Sequence, residues 1–228
     1  MPKRAPSMTP ALAPIRTWIF DLDNTLYPAS VSLFPAIDAR MTAYIAEHLG
    51  MEPAAARTLQ KQYYHAHGMT LAGLMAEHGT DPHHFLDYVH DVEMDVLEDL
   101  GLAARIGALP GRKLVFTNGD ASYAARVLDR IGLSDTFEAV HDVHATQYRP
   151  KPDPIAYQGL CDAYAIDPTT ALFVEDLARN LKPAKAIGMT TVWIDNGSEQ
   201  GPGVDRSFID YTVADLGDWL DTILETPA

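Results

Sequence analysis

The sequence has a single cysteine, Cys161, among its 228 residues, and it has no long uninterrupted apolar run. One cysteine excludes a disulfide within the chain, which favours a reducing compartment. Without an apolar run of about 18 residues, the sequence predicts no membrane-spanning helix. Cys161 lies at helical spacing from Tyr157 and Tyr164, so we expect a small buried side chain rather than a nucleophile.

Basic residues are also scarce. The chain has 17 Lys and Arg against 31 Asp and Glu, which is a formal net charge of −14. Surfaces that bind nucleic-acid polymers or anionic membranes have an excess of Lys and Arg, so we expect neither partner. A chain this acidic needs a local source of positive charge if it handles phosphate.

The first 14 residues lack the continuous apolar segment of a secretory signal. Residues 1–14 contain Lys3 and Arg4 but also four prolines. We therefore expect a flexible tail over 1–14 and a cytoplasmic protein.

The spacing of apolar residues indicates two structural regions. Thr17–Phe20 is a short apolar run typical of a buried parallel strand. From about 34 to about 100, apolar residues recur at steps of three and four, and Gly50, Gly68 and Gly79 end successive helices. Asp81 followed by proline is typical of the start of a fourth helix.

After residue 111 the pattern alternates between strands and helices. Strands are predicted at 113–116, about 137–140, 171–174 and 190–194. Helices are predicted at 122–131 and 216–224, and two more are predicted between them, one that begins at 153 and one that ends at 188. Such alternation is typical of a doubly wound, mostly parallel α/β sheet of the Rossmann-like kind. We predict an α/β core of residues 15–31 and 101–228, with an all-helical cap of residues 32–100 inserted after the first strand.

Polar residues follow the predicted strands at the edge where open α/β sheets bind their ligands. They are Asp21, Asp23 and Thr25 after the first strand, Thr117, Asn118, Gly119 and Asp120 after the second, Glu175 and Asp176 after the fourth, and Lys151 in a proline-rich loop. The carboxylates would repel one another unless a cation lay among them. Oxygen ligands select magnesium or calcium over zinc, and Mg²⁺ would supply the missing positive charge.

These motifs, in this order, resemble those of the haloacid dehalogenase-like (HAD) hydrolase superfamily. The resemblance extends from Thr17 to about Leu220, and the stretch from Phe20 to Tyr27 is similar to the start of the phosphatase branch. Asp-Asn-Thr-Leu-Tyr, followed by a helical segment with Tyr63 and Tyr64, resembles the pyrimidine 5′-nucleotidase-like members more narrowly.

The resemblance implies a role for each motif. Asp21 would attack phosphorus and form an aspartyl-phosphate, and Asp23 would protonate the leaving alkoxide and later activate water. Thr117 and the Asn118 amide would hold phosphate oxygens near a helix N-terminus. Lys151 would neutralise the charge shared by the nucleophile and the transferring phosphoryl group.

The resemblance also implies a magnesium site. Its ligands would be the carboxylates of Asp21 and Asp176 and the backbone carbonyl of Asp23. Three further residues are weaker candidates for this site, either as ligands of the ion or as residues that contact its ligands: Glu175, Thr25 and Asn180.

Substrate contacts are expected from the cap, with Tyr63, Tyr64 and Met69 as candidates. At helical spacing these residues are equally typical of a packed core. The histidine pairs His65/His67 and His83/His84 lack carboxylate or cysteine partners at convincing spacing, so we expect solvated histidines rather than a metal site.

The expected function is hydrolysis of a small phosphate ester, a nucleoside monophosphate or another phosphorylated metabolite. Phosphoglycolate or sugar-phosphate hydrolysis, phosphomutase activity, 2-haloacid dehalogenation and a receiver-like or ligand-binding module are the alternatives. Dehalogenation has no alkoxide to protonate, and the dehalogenases of the superfamily lack the second acid, so Asp23 argues against it. Receivers are shorter and have no helical insertion after the first strand.

Overall fold

The structure is a computed structural model that describes residues 10–197 and 206–224. Within these ranges the strands are β1 (Thr17–Phe20), β2 (Arg112–Phe116), β3 (Ala139–His141), β4 (Ala171–Glu175), β5 (Thr190–Ile194) and β6 (Tyr211–Val213). The α-helices are α1 (Leu33–Leu49), α2 (Pro53–His67), α3 (Thr70–His78), α4 (Pro82–His90), α5 (Leu102–Ala108), α6 (Ala121–Arg130), α7 (Pro154–Tyr164), α8 (Ala178–Ala186) and α9 (Leu216–Leu224). None of the helices in these ranges combines the length and apolar character needed to cross a membrane.

The strands form one parallel sheet in the order β3-β2-β1-β4-β5-β6. Side chains of a strand alternate between the two faces of the sheet. Trp18 and Phe20 of β1 pack on the side of α5, α6 and α9, whereas Ile19 packs on the side of α7 and α8. The predicted doubly wound α/β class is therefore confirmed.

Helices α1–α4, called the cap below, pack together and share a hydrophobic core with one face of the sheet. Local signals set their ends: Gly50 follows α1 with a φ of 61°, and the Asp81 side chain accepts from the His83 N–H at 3.0 Å to cap α4. Glycine adopts this left-handed conformation without a Cβ clash.

The helical pattern ends ten residues earlier than expected. α4 ends at His90, and residues 91–100 form no helix. The stretch after His90 contains five carboxylates: Asp91, Glu93, Asp95, Glu98 and Asp99. Negative charge at a helix C-terminus and like charges four residues apart both disfavour continued helix, which accounts for the difference.

Three other details differ from expectation. The third strand is Ala139–His141 rather than 137–140, and α5 and β6 were not predicted because both are too short for a clear periodic pattern. Residues 1–9 of the expected tail lie outside the described residues, but Pro10–Leu12 form a 3₁₀ turn with Leu12 buried. Cys161 is buried in α7, as expected.

Candidate active site

The turn after β1 carries the first two carboxylates. The Asp21 N–H donates to the Val174 carbonyl at 2.9 Å, which places Asp21 at the sheet edge between β1 and β4. Asn24 then adopts a φ of 58°, a left-handed conformation that Asn tolerates better than most residues. The Asn196 Nδ2 donates to the Asn24 carbonyl at 2.5 Å, so the turn is tied to the segment that follows β5.

Lys151 lies beside the Asp21 carboxylate and is only 2% exposed. Its Nζ donates to Asp21 Oδ1 at 2.6 Å, to Glu175 Oε2 at 2.7 Å and to the Phe116 carbonyl at 2.8 Å. All three ammonium donors therefore have acceptors. Asn118 holds the backbone of Lys151 at two points, donating from Nδ2 to its carbonyl at 3.2 Å and accepting from its N–H at 2.8 Å on Oδ1.

The charges of this cluster are incompletely balanced. Burial raises the pKa of Asp21 to about 8, with the charge of Glu175 adding to the effect and that of Lys151 opposing it. Burial would lower the pKa of Lys151, but the carboxylates of Asp21 and Glu175 together raise it. Burial would raise the pKa of Glu175, but the Lys151 ammonium and the N–H groups of Asp176 and Leu177 lower it.

A divalent cation fits this site. Asp21, Glu175 and Asp176 are the one group of three or more His, Cys, Asp or Glu side chains in the described ranges whose ligand atoms could hold a metal, and these atoms lie within 4.8 Å of one another. Three carboxylates beside the Lys151 ammonium leave an excess of negative charge that a cation would compensate.

Asn180 supports the same fit. Its Nδ2 donates to Glu175 Oε2 at 3.1 Å, whereas its buried Oδ1 has no hydrogen-bond partner in the described part of the chain. Buried amide oxygens normally accept a hydrogen bond. Magnesium usually keeps several water ligands, and such a water is a donor of the kind that Asn180 Oδ1 lacks.

The segment between β2 and α6 contributes the residues expected to bind phosphate. Asn118 and Gly119 line the cavity described below, whereas Thr117 does not. Thr117 is 1% exposed, and its Oγ1 accepts from the Gly119 N–H at 3.0 Å. Asp120 caps α6 by accepting from the Tyr123 N–H at 2.8 Å.

Two tyrosines hold Asp23, the second carboxylate of the β1 turn. The Tyr27 hydroxyl donates to Asp23 Oδ1 at 2.5 Å, and the Tyr123 hydroxyl donates to the same oxygen at 2.6 Å. Burial, reinforced by the charge of Asp23, raises the pKa of both phenols well above the ordinary value. Both tyrosines therefore act as neutral donors. Thr25, the last residue of the motif, donates to Asp21 Oδ2 at 3.4 Å.

A cavity of about 430 Å³ lies between this sheet edge and helices α1–α4. Asp21, Asp23, Lys151 and Asp176 lie on its sheet side. Its cap side is mostly apolar and includes Phe34, Ile37, Met41, Leu71, Phe85, Leu86 and Val89. The cavity therefore has a small charged end at the sheet and a larger, mostly apolar wall formed by the cap helices.

Two of the three expected cap contacts line the cavity. Tyr64 and Met69 do so, and Tyr63 does not. The Tyr63 hydroxyl bonds to His78 Nε2 at 2.7 Å, and its ring packs so closely on Gly73 that a Cβ there would lie 2.4 Å from it. Tyr63 thus stabilises the contact between α2 and α3. Helical spacing alone does not indicate whether such a side chain faces the cavity or a neighbouring helix.

Residues 15–188 match the family of haloacid dehalogenase-like hydrolases. The chain belongs to this family. The match covers β1 to the end of α8, which includes every residue of the carboxylate and lysine cluster.

Two curated relatives are named for phosphate chemistry. Phosphate metabolism protein 8 of Saccharomyces cerevisiae is 24% identical over 209 residues, which are 82% of this chain and 63% of the relative. A phosphoglycolate phosphatase of Vibrio vulnificus (strain CMCP6) is 27% identical over 141 residues, 62% of this chain and 59% of the relative. The chain spans less than two thirds of the length of these relatives.

Solved structures of HAD hydrolases share the fold. The HAD-hydrolase YfnB from Bacillus subtilis, solved with magnesium, has a TM-score of 0.60 and 16% identity, covering 92% of this chain and 98% of that chain. The L-2-haloacid dehalogenase RSc1362 has a TM-score of 0.60 and 20% identity, covering 92% of this chain and 98% of that chain. At these identities the likeness shows the fold alone.

Several site residues had no assigned role at the level of sequence. Tyr27 stands inside the first HAD motif, four residues after Asp23, and this spacing was the one local signal available for it. Tyr123 and His90 are separated from Asp23 by 100 and 67 positions, respectively. Such contacts follow from the packing of α4 and α6, which no local pattern encodes.

Proposed function

We propose that this HAD hydrolase is a magnesium-dependent phosphomonoester phosphatase with Asp21 as its nucleophile. The observation that carries the proposal is the pairing of Asp21 Oδ1 with the buried Lys151 ammonium at 2.6 Å, at a sheet edge where a second carboxylate, Asp23, faces the same cavity. Lys151 orients one oxygen of Asp21, and Thr25 reaches the other at 3.4 Å.

In the first step an oxygen of Asp21 attacks phosphorus. A bond forms between this oxygen and phosphorus, and the bond from phosphorus to the leaving oxygen breaks. Protonated Asp23 gives its proton to the leaving alkoxide, which departs as an alcohol. Lys151 stabilises the negative charge that the phosphoryl group and Asp21 share.

In the second step water attacks the phosphorus of the aspartyl-phosphate. The Asp23 carboxylate takes a proton from the water, the new oxygen–phosphorus bond forms, and the bond to Asp21 breaks. Inorganic phosphate leaves, and both carboxylates return to their starting states. The apolar cap wall limits the access of other water to the intermediate.

Asp21, Asp176 and the backbone carbonyl of Asp23 would hold Mg²⁺, with Glu175 and Asn180 close by. When bound, the ion would offset the repulsion between a phosphate dianion and the Asp21 carboxylate. The carboxylate excess and the orphaned Asn180 Oδ1 support this assignment, as does the magnesium named with the YfnB structure.

The cavity supports a leaving alcohol with an apolar or aromatic part. A cavity of about 430 Å³ with a largely apolar cap side exceeds what a two-carbon alcohol fills. A nucleoside monophosphate presents an aromatic base together with its phosphate, so it is the first candidate. Phosphoglycolate is the second, because relatives of this chain carry that name.

Asp23 also separates phosphatase activity from dehalogenation and from a binding role. A halide needs no proton when it leaves, so dehalogenation would give the tyrosine-held acid nothing to do. A binding module would require neither a nucleophile nor an acid in its cavity. Transfer of the phosphoryl group to a sugar, as in a mutase, uses the same groups and is separated only by the identity of the acceptor.

The test is phosphate release from UMP, CMP, glucose 6-phosphate and phosphoglycolate, with Mg²⁺ and with EDTA. We expect magnesium-dependent release with the highest kcat/KM on the nucleotides, and a loss of about a thousand-fold or more in Asp21→Asn. Asp218→Asn, on the exposed first turn of α9, is the matched control and is expected to behave as wild type.

Three outcomes would overturn parts of the proposal. Full activity of folded Asp21→Asn would exclude Asp21 as the nucleophile. A higher kcat/KM on phosphoglycolate than on the nucleotides would overturn the inference from the apolar wall. Phosphoryl transfer to an added sugar in preference to water would identify a mutase.

A further inference from the structure

The contact between Asp23 and its two tyrosines uses one carboxylate oxygen twice. Tyr27 and Tyr123 both donate to Oδ1, and their own hydroxyl oxygens are 3.4 Å apart. Oδ2 receives no hydrogen bond from any residue that the structure describes. The two oxygens of Asp23 therefore have different surroundings although they belong to one group.

Both tyrosines are fixed in place. Tyr27 is 2% exposed and Tyr123 is 1% exposed, so neither hydroxyl exchanges Asp23 for bulk water. Tyr27 belongs to the turn after β1, whereas Tyr123 lies in the first turn of α6. Two rigid elements thus hold Oδ1 from two directions.

A third residue connects Tyr123 to the cap. The His90 ring stacks on the Tyr123 ring with centroids 4.2 Å apart and an interplanar angle of 14°. His90 Nδ1 lies 2.5 Å from Asp120 Oδ2, and Asp120 also caps α6 through the Tyr123 N–H. His90 is the last residue of α4 and lines the cavity, so the end of a cap helix lies directly on Tyr123.

We propose that Tyr27 and Tyr123 are positioning residues for the acid–base carboxylate, and that His90 holds Tyr123 in place from the cap. The paired donors keep Oδ1 as an acceptor, so that proton exchange takes place at Oδ2. This inference rests on the proposed phosphatase function.

The role follows from the two chemical steps. In the first, the proton on Oδ2 moves to the leaving alkoxide as its bond to phosphorus breaks. In the second, Oδ2 takes a proton from the attacking water. A carboxylate free to rotate would offer either oxygen at a variable distance, and small misplacements of a reacting group reduce rates strongly.

The test uses Tyr27→Phe and Tyr123→Phe, each of which removes one hydroxyl and keeps the ring. Tyr88→Phe is the matched control, because the Tyr88 hydroxyl also donates to a carboxylate, Glu47 Oε2 at 3.4 Å, but does not line the cavity. Asp23→Asn shows the pattern expected when the acid–base group is lost altogether. Thermal unfolding of every variant reports whether it folds.

p-Nitrophenyl phosphate and an alkyl phosphate separate positioning from a structural role. p-Nitrophenolate leaves without a proton, so we expect each Tyr→Phe variant to retain a burst of about one product per site on the aryl ester. The steady-state rate after the burst is expected to fall about ten-fold, because hydrolysis of the intermediate still needs the base. On the alkyl ester we expect no burst and a fall of at least the same size.

Two results would overturn the proposal. The first is a Tyr27→Phe or Tyr123→Phe variant that matches Tyr88→Phe on both esters. The second is the loss of the burst on the aryl ester together with the fall in the steady-state rate, which indicates general damage to the site. If the wild-type protein releases no phosphate from any ester, the proposed function itself fails, and this result is distinct from both.

His90 is tested through a double-mutant cycle. If His90 acts through Tyr123, His90→Ala and Tyr123→Phe together lower the steady-state rate by less than the product of their separate effects. Fully multiplicative effects would show that His90 acts independently, which would remove it from the proposal.

Discussion

Lys151 and His141 are buried polar residues at the carboxyl edge of the sheet, and their polar atoms have opposite surroundings. Lys151 places all three donors on acceptors, and its ammonium also lies 5.1 Å from the centroid of the Phe116 ring. His141 is 2% exposed, and neither ring nitrogen has a hydrogen-bond partner in the part of the chain that the structure describes. A buried group without a partner lowers the free energy of unfolding.

The His141 ring makes stability depend on pH. Burial lowers the pKa of His141 from its ordinary value of 6.5, with Asp142 opposing the shift. Below about pH 6.5 the unfolded chain therefore takes up a proton that the folded chain does not, and the free energy of unfolding falls as the pH decreases. We expect His141→Leu to raise the free energy of unfolding by about 1 kcal/mol at neutral pH and by more under acidic conditions.

Urea unfolding of wild type and His141→Leu at pH 7.5 and 5.5 measures this effect. The exposed His65 provides the control, since His65→Leu removes an imidazole without changing a buried site. A constant difference between wild type and His141→Leu at the two pH values would contradict the prediction.

Helix α2 of the cap contacts helix α8, which packs on the sheet, beside the cavity. Arg179, in the first turn of α8, donates to the Tyr64 hydroxyl of α2, and its guanidinium lies 4.7 Å from the centroid of the Tyr64 ring. Both residues line the cavity. Because α8 begins two residues after Asp176, this contact links the cap to the segment that carries the carboxylates.

We expect the contact between Arg179 and Tyr64 to favour the arrangement in which the cap lies against the α/β core and covers the cavity. A cation–π contact at an exposed site contributes about 0.5–1 kcal/mol, which corresponds to about a two- to five-fold change in an equilibrium. Tyr64→Ala is therefore expected to raise KM for the phosphate ester by roughly this factor with little change in kcat, and Tyr64→Phe, which keeps the ring, by less.

Steady-state kinetics of Tyr64→Ala, Tyr64→Phe and Arg179→Met check this expectation. Arg179→Met should raise KM as Tyr64→Ala does, and the double variant should show no further increase. Additive effects of the two substitutions would mean that each residue contacts the substrate separately.

At the scale of the whole molecule, a net charge of −14 coexists with a site that we propose binds an anionic phosphate ester. The fold concentrates Asp21, Glu175 and Asp176 within 4.8 Å and sets the Lys151 ammonium against two of them. Any ligand that binds only the folded chain stabilises it by mass action. Magnesium binding should therefore appear as thermal stabilisation.

We expect Mg²⁺ at a hundred-fold excess over its Kd to raise Tm by about 5–10 °C, and Asp176→Asn to lose most of this shift. Thermal unfolding against Mg²⁺ concentration measures it, and KCl at matched ionic strength corrects for general screening. Asp218→Asn should keep the wild-type shift. An equal shift in Asp176→Asn would assign the ion to another site.

The order of most elements and the residue types at the sheet edge could be predicted from the sequence, because their signals are local. Thr17–Phe20 reads as a buried strand from four consecutive residues, and Asp81-Pro82 reads as a helix start from two. The polar residues at strand ends required one topological rule, that parallel strands present their carboxyl ends at one edge. The roles assigned to these residues stay predictions until the assays above are made.

The tertiary structure decided the contacts that depend on how distant elements pack. Asp23 receives its second tyrosine from α6, 100 residues away, and His90 reaches that tyrosine from α4. Tyr63 and Tyr64 are adjacent in sequence, yet only Tyr64 lines the cavity, because neighbouring residues on a helix point in different directions. The sequence by itself determined the fold class and the chemical groups at the sheet edge, whereas packing alone decided which side chains hold Asp23 and which form the apolar wall of the cavity.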